Sequence, residues 1–246
     1  MIPRNVLIDY LKTMTAFHLS IYIQKLVHVL PKMIKEGKID VAYDWSIVLD
    51  ATDNFESKIA KISAADCKFL YNNLHEYMKA NFQIGAVINA YEFNRGDSAC
   101  LPKVFDLLSK RDNEFNHIFK ARWTLKKGDY KDDDLELVNE LVKYEDSAFD
   151  KYIELILSQR TKYLYTKHIS MIDTLSFKND ERGMMAQGRS RKHARRFVLG
   201  TRLLEALVQI LVLESKENQF YTRSLSIEEL IEQIRNRYGL LTTNRH

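Results

Sequence analysis

The chain has 246 residues with a hydrophobic fraction of 46% and a charged fraction of 28%, which suits a protein with a buried core and excludes a largely disordered one. Its net charge is only +4, and eight glycines and three prolines are too few for the many turns of a strand-rich fold. Two cysteines, Cys67 and Cys100, form no CxxC pair and no disulfide framework, which points to a reducing compartment.

Pro3 suits a first helical turn. After it, Val6, Leu7, Tyr10, Leu11, Met14, Phe17, Ile21, Leu26 and Val29 recur mostly at three- and four-residue spacings, as one face of a helix does. Residues 13–30 are apolar overall but carry His18, Gln24, Lys25 and His28. They read as a buried amphipathic helix, not a membrane span of roughly 20 apolar residues. No cleavage site follows a short apolar core, so the expected setting is cytoplasmic. Pro31 is expected to break or kink this helix, with a short continuation ending at Gly37. Residues 38–53 read as irregular, with a short helix at 45–49. Ser63 is placed as the cap of a long helix carrying Cys67, Leu70, Tyr71, Leu74, Met78, Val87 and Tyr91. Residues 94–98 read as a turn, 101–123 as the next helix and 126–134 as a charged loop. The pattern from Asp134 to 172 is long enough for two helices or one kinked helix.

Residues 178–196 are different. They hold two glycines, dense charge and one apolar step, Met184 and Met185, and read as a loop or mobile segment at a domain boundary. The run 197–213 reads as an almost wholly buried helix, with Leu203, Leu204, Leu207, Val208, Ile210 and Leu211. Its apolar surface needs the helical body, an extension or a partner to cover it. Residues 220–225 read as a short strand. Ser226 and Glu229 then form an S-x-x-E capping box, which opens a helix that ends at Gly239. The expected fold class is therefore all-α: a multi-helix body at 1–177, a basic linker at 178–196 and a C-terminal helical unit at 197–246. The order helix, strand, capped helix in the last of these fits either a partial winged helix or a plain α-hairpin packed on the body.

The basic linker is the one concentrated local feature. Seven cations stand against two acids in 178–196, a net +5 that leaves −1 for the rest of the chain. Arg189, Arg191, Lys192, Arg195 and Arg196 are the candidate anion-binding residues, because Arg forks and Lys ammonium groups neutralise phosphates. The same residues also suit an acidic protein partner, an acidic surface of the chain itself such as Asp132, Asp133 and Asp134, or plain solvation. Tyr163 and Tyr165, just ahead of the linker, either stack on bases or belong to a core. The seven histidines are scattered, and His18 and His28 read as core residues. No HExxH, GxSxG, GxxxxGK[ST] or GxGxxG occurs, so no catalytic residue, metal ligand or cofactor is assigned.

Two stretches carry a resemblance: the opening IPRNVLIDYLKTMTAFHLSIYIQKLVHVLP, and the close RRFVLGTRLLEALVQILVLE followed by LSIEELIEQIRNRYGL. Together they resemble uncharacterised helical subunits of prokaryotic anti-phage defence systems, encoded beside NTPases and nucleases. The resemblance covers about a third of the chain and implies a subunit of a multi-protein defence machine. It carries over no functional residue. The leading expectation is a non-catalytic subunit that touches DNA or RNA through the basic loop, or couples an NTPase or nuclease partner to it. The alternative is a protein-interaction scaffold whose basic loop docks on an acidic partner.

Overall fold

The computed structural model describes residues 3–42, 44–52, 54–188, 193–216 and 219–242. The protein is all-α in class, as the periodicity implies, with long helices and a few strands of two to four residues. The chain divides into two compact units. Unit 1 comprises Met1–Lys25, Asp44–Asn72 and His168–His246, and unit 2 comprises Leu26–Tyr43 and Asn73–Lys167.

Helix α1 (Arg4–Glu36) runs through Pro31 without a break, so of the two expected effects of this proline the break does not occur. Proline forfeits one hydrogen bond there, and Val27, one turn earlier, is buried against the body of the protein. It ends at Gly37, whose φ of 65° is the left-handed conformation that glycine adopts freely. The run placed as one helix from Ser63 is two, α2 (Lys58–Asn72) and α3 (Leu74–Ala90). Ser63 is not a cap. It lies inside α2, fully buried, and its hydroxyl both donates to the Phe197 carbonyl and accepts from the Phe197 N–H, each at 2.8 Å.

The next expected helix is also two, α4 (Cys100–Lys110) and α5 (Asn113–Gly128). Arg111 takes a left-handed conformation at the end of α4, and the Asp112 carboxylate accepts from Phe115 N–H at 2.9 Å to start α5. The supposed charged loop at 126–134 is mostly helical, because α5 continues to Gly128 and α6 (Asp132–Leu141) begins soon after. Helix α7 (Ala148–Leu175) follows, so the long pattern resolves into two helices. In unit 2 the core gathers Phe115, Phe119 and Phe149 with Val87, Val104, Leu108 and Ile153.

Unit 1 holds the strands. The expected helix at 45–49 is instead β1 (Ile47–Val48). A short apolar run buried on both faces reads alike as helix or strand, and here it is extended. Four further strands follow, β2 (Met185–Gln187), β3 (Arg195–Phe197), β4 (Leu213–Lys216) and β5 (Gln219–Thr222), and β6 (Leu240–Leu241) closes the series. β1 pairs with β6 in parallel, β2 with β3 antiparallel, and an isolated parallel bridge joins Asp50 to Val198. The extension of β1 is thus tied to the end of β3.

Helix α8 (Thr201–Leu211) buries Leu203, Ala206, Leu207 and Leu211 but leaves Leu204 and Ile210 more than a third exposed. It is amphipathic and not buried all round, so much of its apolar face is covered by the chain itself. The β4–β5 hairpin leads to α9 (Ile227–Tyr238), whose Ser226–Glu229 capping box is formed in both directions and which ends at Gly239 with φ 71°. His18 is exposed at the surface beside Phe17 and Tyr238, not in the core.

Candidate anion-contacting hairpin

The basic segment is far from a loose loop in its described parts. Helix α7 ends in a turn where Phe177 and Asn179 take positive φ values of 44° and 66°. The chain then doubles back: Met184 N–H donates to Ser176 O, Asn179 N–H to Met185 O, and Gln187 N–H to the Asn179 side chain. Gly183 is required by close approach, since a Cβ there would lie 2.1 Å from the Phe177 carbonyl oxygen. Met184 and Met185 are fully buried, and β2 and β3 form a hairpin in register Met185 to Phe197.

Four of the seven cations are committed to carboxylates of unit 1. Lys178 meets Asp173 at 2.5 Å. Arg182 is held by Asp180 at 2.9 Å and Asp9 at 3.4 Å, with its guanidinium over the Phe177 ring. Its hydrogen bond holds the Asp180 carboxyl down at about 2. Arg195 reaches Asp173 at 2.8 Å and lies over the Tyr71 ring at 4.7 Å. Arg196 donates to Asp50 at 2.6 Å and lies 3.8 Å over the Phe55 ring. Neighbouring strand residues point to opposite faces, so Arg195 and Arg196 do not converge. Of the expected anion-binding set, Arg189, Arg191 and Lys192 lie outside the described residues.

The residues that fix this arrangement carry no signal of their own in the sequence. Asp50 is 146 residues from Arg196, and Ser63 is 134 from Phe197. Tyr71 donates to Asp173, 102 residues away. None belongs to a motif. Among the described residues no three His, Cys, Asp or Glu side chains are grouped to hold a metal ion, and no helix is long and apolar enough to cross a membrane.

A family model described as "Methylation-associated defense system protein MAD7" matches residues 1–245. The chain belongs to that family. The membership agrees with the resemblance to defence-system subunits read from the two ends of the sequence. No curated protein and no solved structure matches the chain.

In this member of the MAD7 family the hairpin packs over a buried thiol. Cys67 on α2 is wholly buried, and desolvation pushes its pKa up to about 12 from 9.0. Tyr71, one turn on, is raised in the same direction by burial. A raised folded value favours the protonated form, so above pH 9 the unfolded chain ionises while the folded one does not. Stability is thus expected to fall between about pH 9 and 12, approaching about 1.4 kcal/mol per pH unit for the thiol alone. Urea denaturation at stepped pH measures it, and Cys67→Ala should flatten the slope near pH 9 to 10. An equal slope in the variant would assign the loss to other groups.

Proposed function

We propose that this defence-family protein is a non-catalytic subunit that contacts nucleic acid through the segment joining β2 to β3. The reading is supported by the way charge is distributed within the hairpin. Lys178, Arg182, Arg195 and Arg196 each have a carboxylate partner in unit 1. The positive surplus of the sequence therefore falls on residues 188–194, GRSRKHA, which hold Arg189, Arg191 and Lys192 and no acid. Arg195 and Arg196 anchor the hairpin that carries them. Phosphate contacts of this kind position a protein without reading bases, so binding is sequence-independent and weak. In the complex the subunit would couple an NTPase or nuclease partner to DNA or RNA.

The test is fluorescence anisotropy with a labelled duplex and a labelled single strand at two salt concentrations. A dissociation constant of roughly 10⁻⁴ to 10⁻⁶ M is expected at physiological salt, weakening steeply as salt rises. The triple variant R189A/R191A/K192A is expected to lose most of this binding while its thermal midpoint stays within about 2 °C, because it leaves every described ion pair in place. Equal binding by wild type and the triple variant would overturn the reading. Absence of binding by wild type at low salt would do the same, in favour of a scaffold that docks on an acidic protein.

A further inference from the structure

We infer that the middle of α7 is a second contact surface, for single-stranded nucleic acid, with Tyr163 as its stacking platform. Residues 155–172 contain no Asp or Glu in five turns of helix but carry Arg160, Lys162 and Lys167. Gln159, Arg160, Lys162, Tyr163, Thr166 and Lys167 are all exposed. Arg160, Tyr163 and Lys167 stand at i, i+3 and i+7, so they share one face about 10 Å long. Some lysines elsewhere in unit 2, among them Lys79, Lys110, Lys126 and Lys143, hold a carboxylate. Among the described residues Arg160, Lys162 and Lys167 form no ion pair, which leaves their charge available to a ligand.

A merely solvated basic face accounts for the cations but not for the aromatic ring among them. Tyr163 is 65% exposed, and the Lys167 ammonium lies 5.3 Å from its ring centroid. Tyr165, the other candidate, is half-buried. An exposed ring flanked by cations suits a base stacked on the ring and phosphates drawn to Arg160 and Lys167 on the same face. Paired bases in a duplex present edges and phosphates, not free faces, so a single strand is the favoured ligand. An acidic protein would use the cations and leave the ring idle.

The inference deepens the nucleic-acid reading and is tested apart from it. The probe is an oligothymidylate carrying 5-iodouracil, used for anisotropy and for photo-crosslinking mapped by mass spectrometry on the full chain. Wild type is expected to crosslink at Tyr163. Tyr163→Leu should weaken single-strand binding about 10-fold with little effect on duplex binding, and Tyr163→Phe should restore it. R160A/K162A/K167A should lower the single-strand salt slope by about 2, near 0.7 for each cation. If R189A/R191A/K192A abolishes binding while Tyr163→Leu binds normally and no crosslink maps to α7, this surface is refuted and the hairpin reading stands. If Tyr163→Leu loses binding and the hairpin variant does not, α7 is the contact and the hairpin reading fails. If wild type binds neither oligonucleotide, both fall.

Discussion

Replacing Arg196 with alanine is expected to lower the free energy of unfolding by about 3–5 kcal/mol, read from the urea midpoint by far-UV circular dichroism. The size follows from what the change leaves behind. Asp50 is fully buried in side chain, and its other oxygen already accepts from Thr52 N–H at 2.9 Å and from the Thr52 hydroxyl at 2.6 Å. Without the guanidinium the carboxylate stays buried and loses its counter-charge. The stacking of Arg196 on Phe55 goes as well. Asp50→Asn should also be destabilising, because its amide oxygen still accepts from Thr52 but its NH2 then faces the Arg196 Nε–H and the guanidinium loses its counter-charge. The double variant Asp50→Asn/Arg196→Met should recover part of the single Arg196→Ala loss, since an apolar stem against a neutral amide buries no ion. An Arg196→Ala loss below about 1 kcal/mol would mean that the pair is solvated, and would return Arg196 to the pool of cations open to a ligand. Any nucleic-acid assay on Arg196 variants therefore needs a stability measurement beside it.

Arg196 also marks where the sequence stops being informative. Counting charges in 178–196 locates a +5 segment, but counting cannot say which cations are already engaged. The partners Asp9, Asp50 and Asp173 come from other parts of the chain, brought close by β1, α1 and α7. Local patterns were legible: the helix periodicity, the capping box at Ser226 and the left-handed glycines Gly37 and Gly239 all follow from neighbouring residues alone. Several of the differences share a cause. Pro31, Ser63 and the apolar run at 47–49 each have a local reading that a tertiary contact overrides, through burial around α1, a bond to Phe197 and pairing with β6 respectively. Helix breaks were missed at Asn73 and Arg111 because neither a proline nor a glycine marks them. Tyr163 shows the converse: the sequence offered stacking or core, and its exposure removes the core.

Phe119→Ala is expected to cost about 3–5 kcal/mol, the other large effect in the molecule. Phe119 is fully buried on α5, with Phe115 one turn earlier at 4.6 Å between centroids and Phe149 of α7 at 4.6 Å and 74°. Phe115 and Phe149 complete the triangle at 5.1 Å. Tyr152 adds a third, tilted ring at 6.0 Å from Phe119. Such tilted and edge-on rings each add about 0.5–1.5 kcal/mol beyond the area they bury, so removing the central ring forfeits three aromatic contacts and leaves a void. Packing around the site cannot easily close that void, because Val104, Leu108 and Ile153 are already buried in the same cluster. Phe119→Leu keeps most of the volume and loses only the ring contacts, so about 1–2 kcal/mol is expected there. Urea denaturation of the three proteins gives the comparison. A Phe119→Leu loss as large as that of Phe119→Ala would show that ring geometry, and not filled volume, holds α5 against α7. Losses below about 1 kcal/mol for both would show that the aromatic triangle is not packed as described.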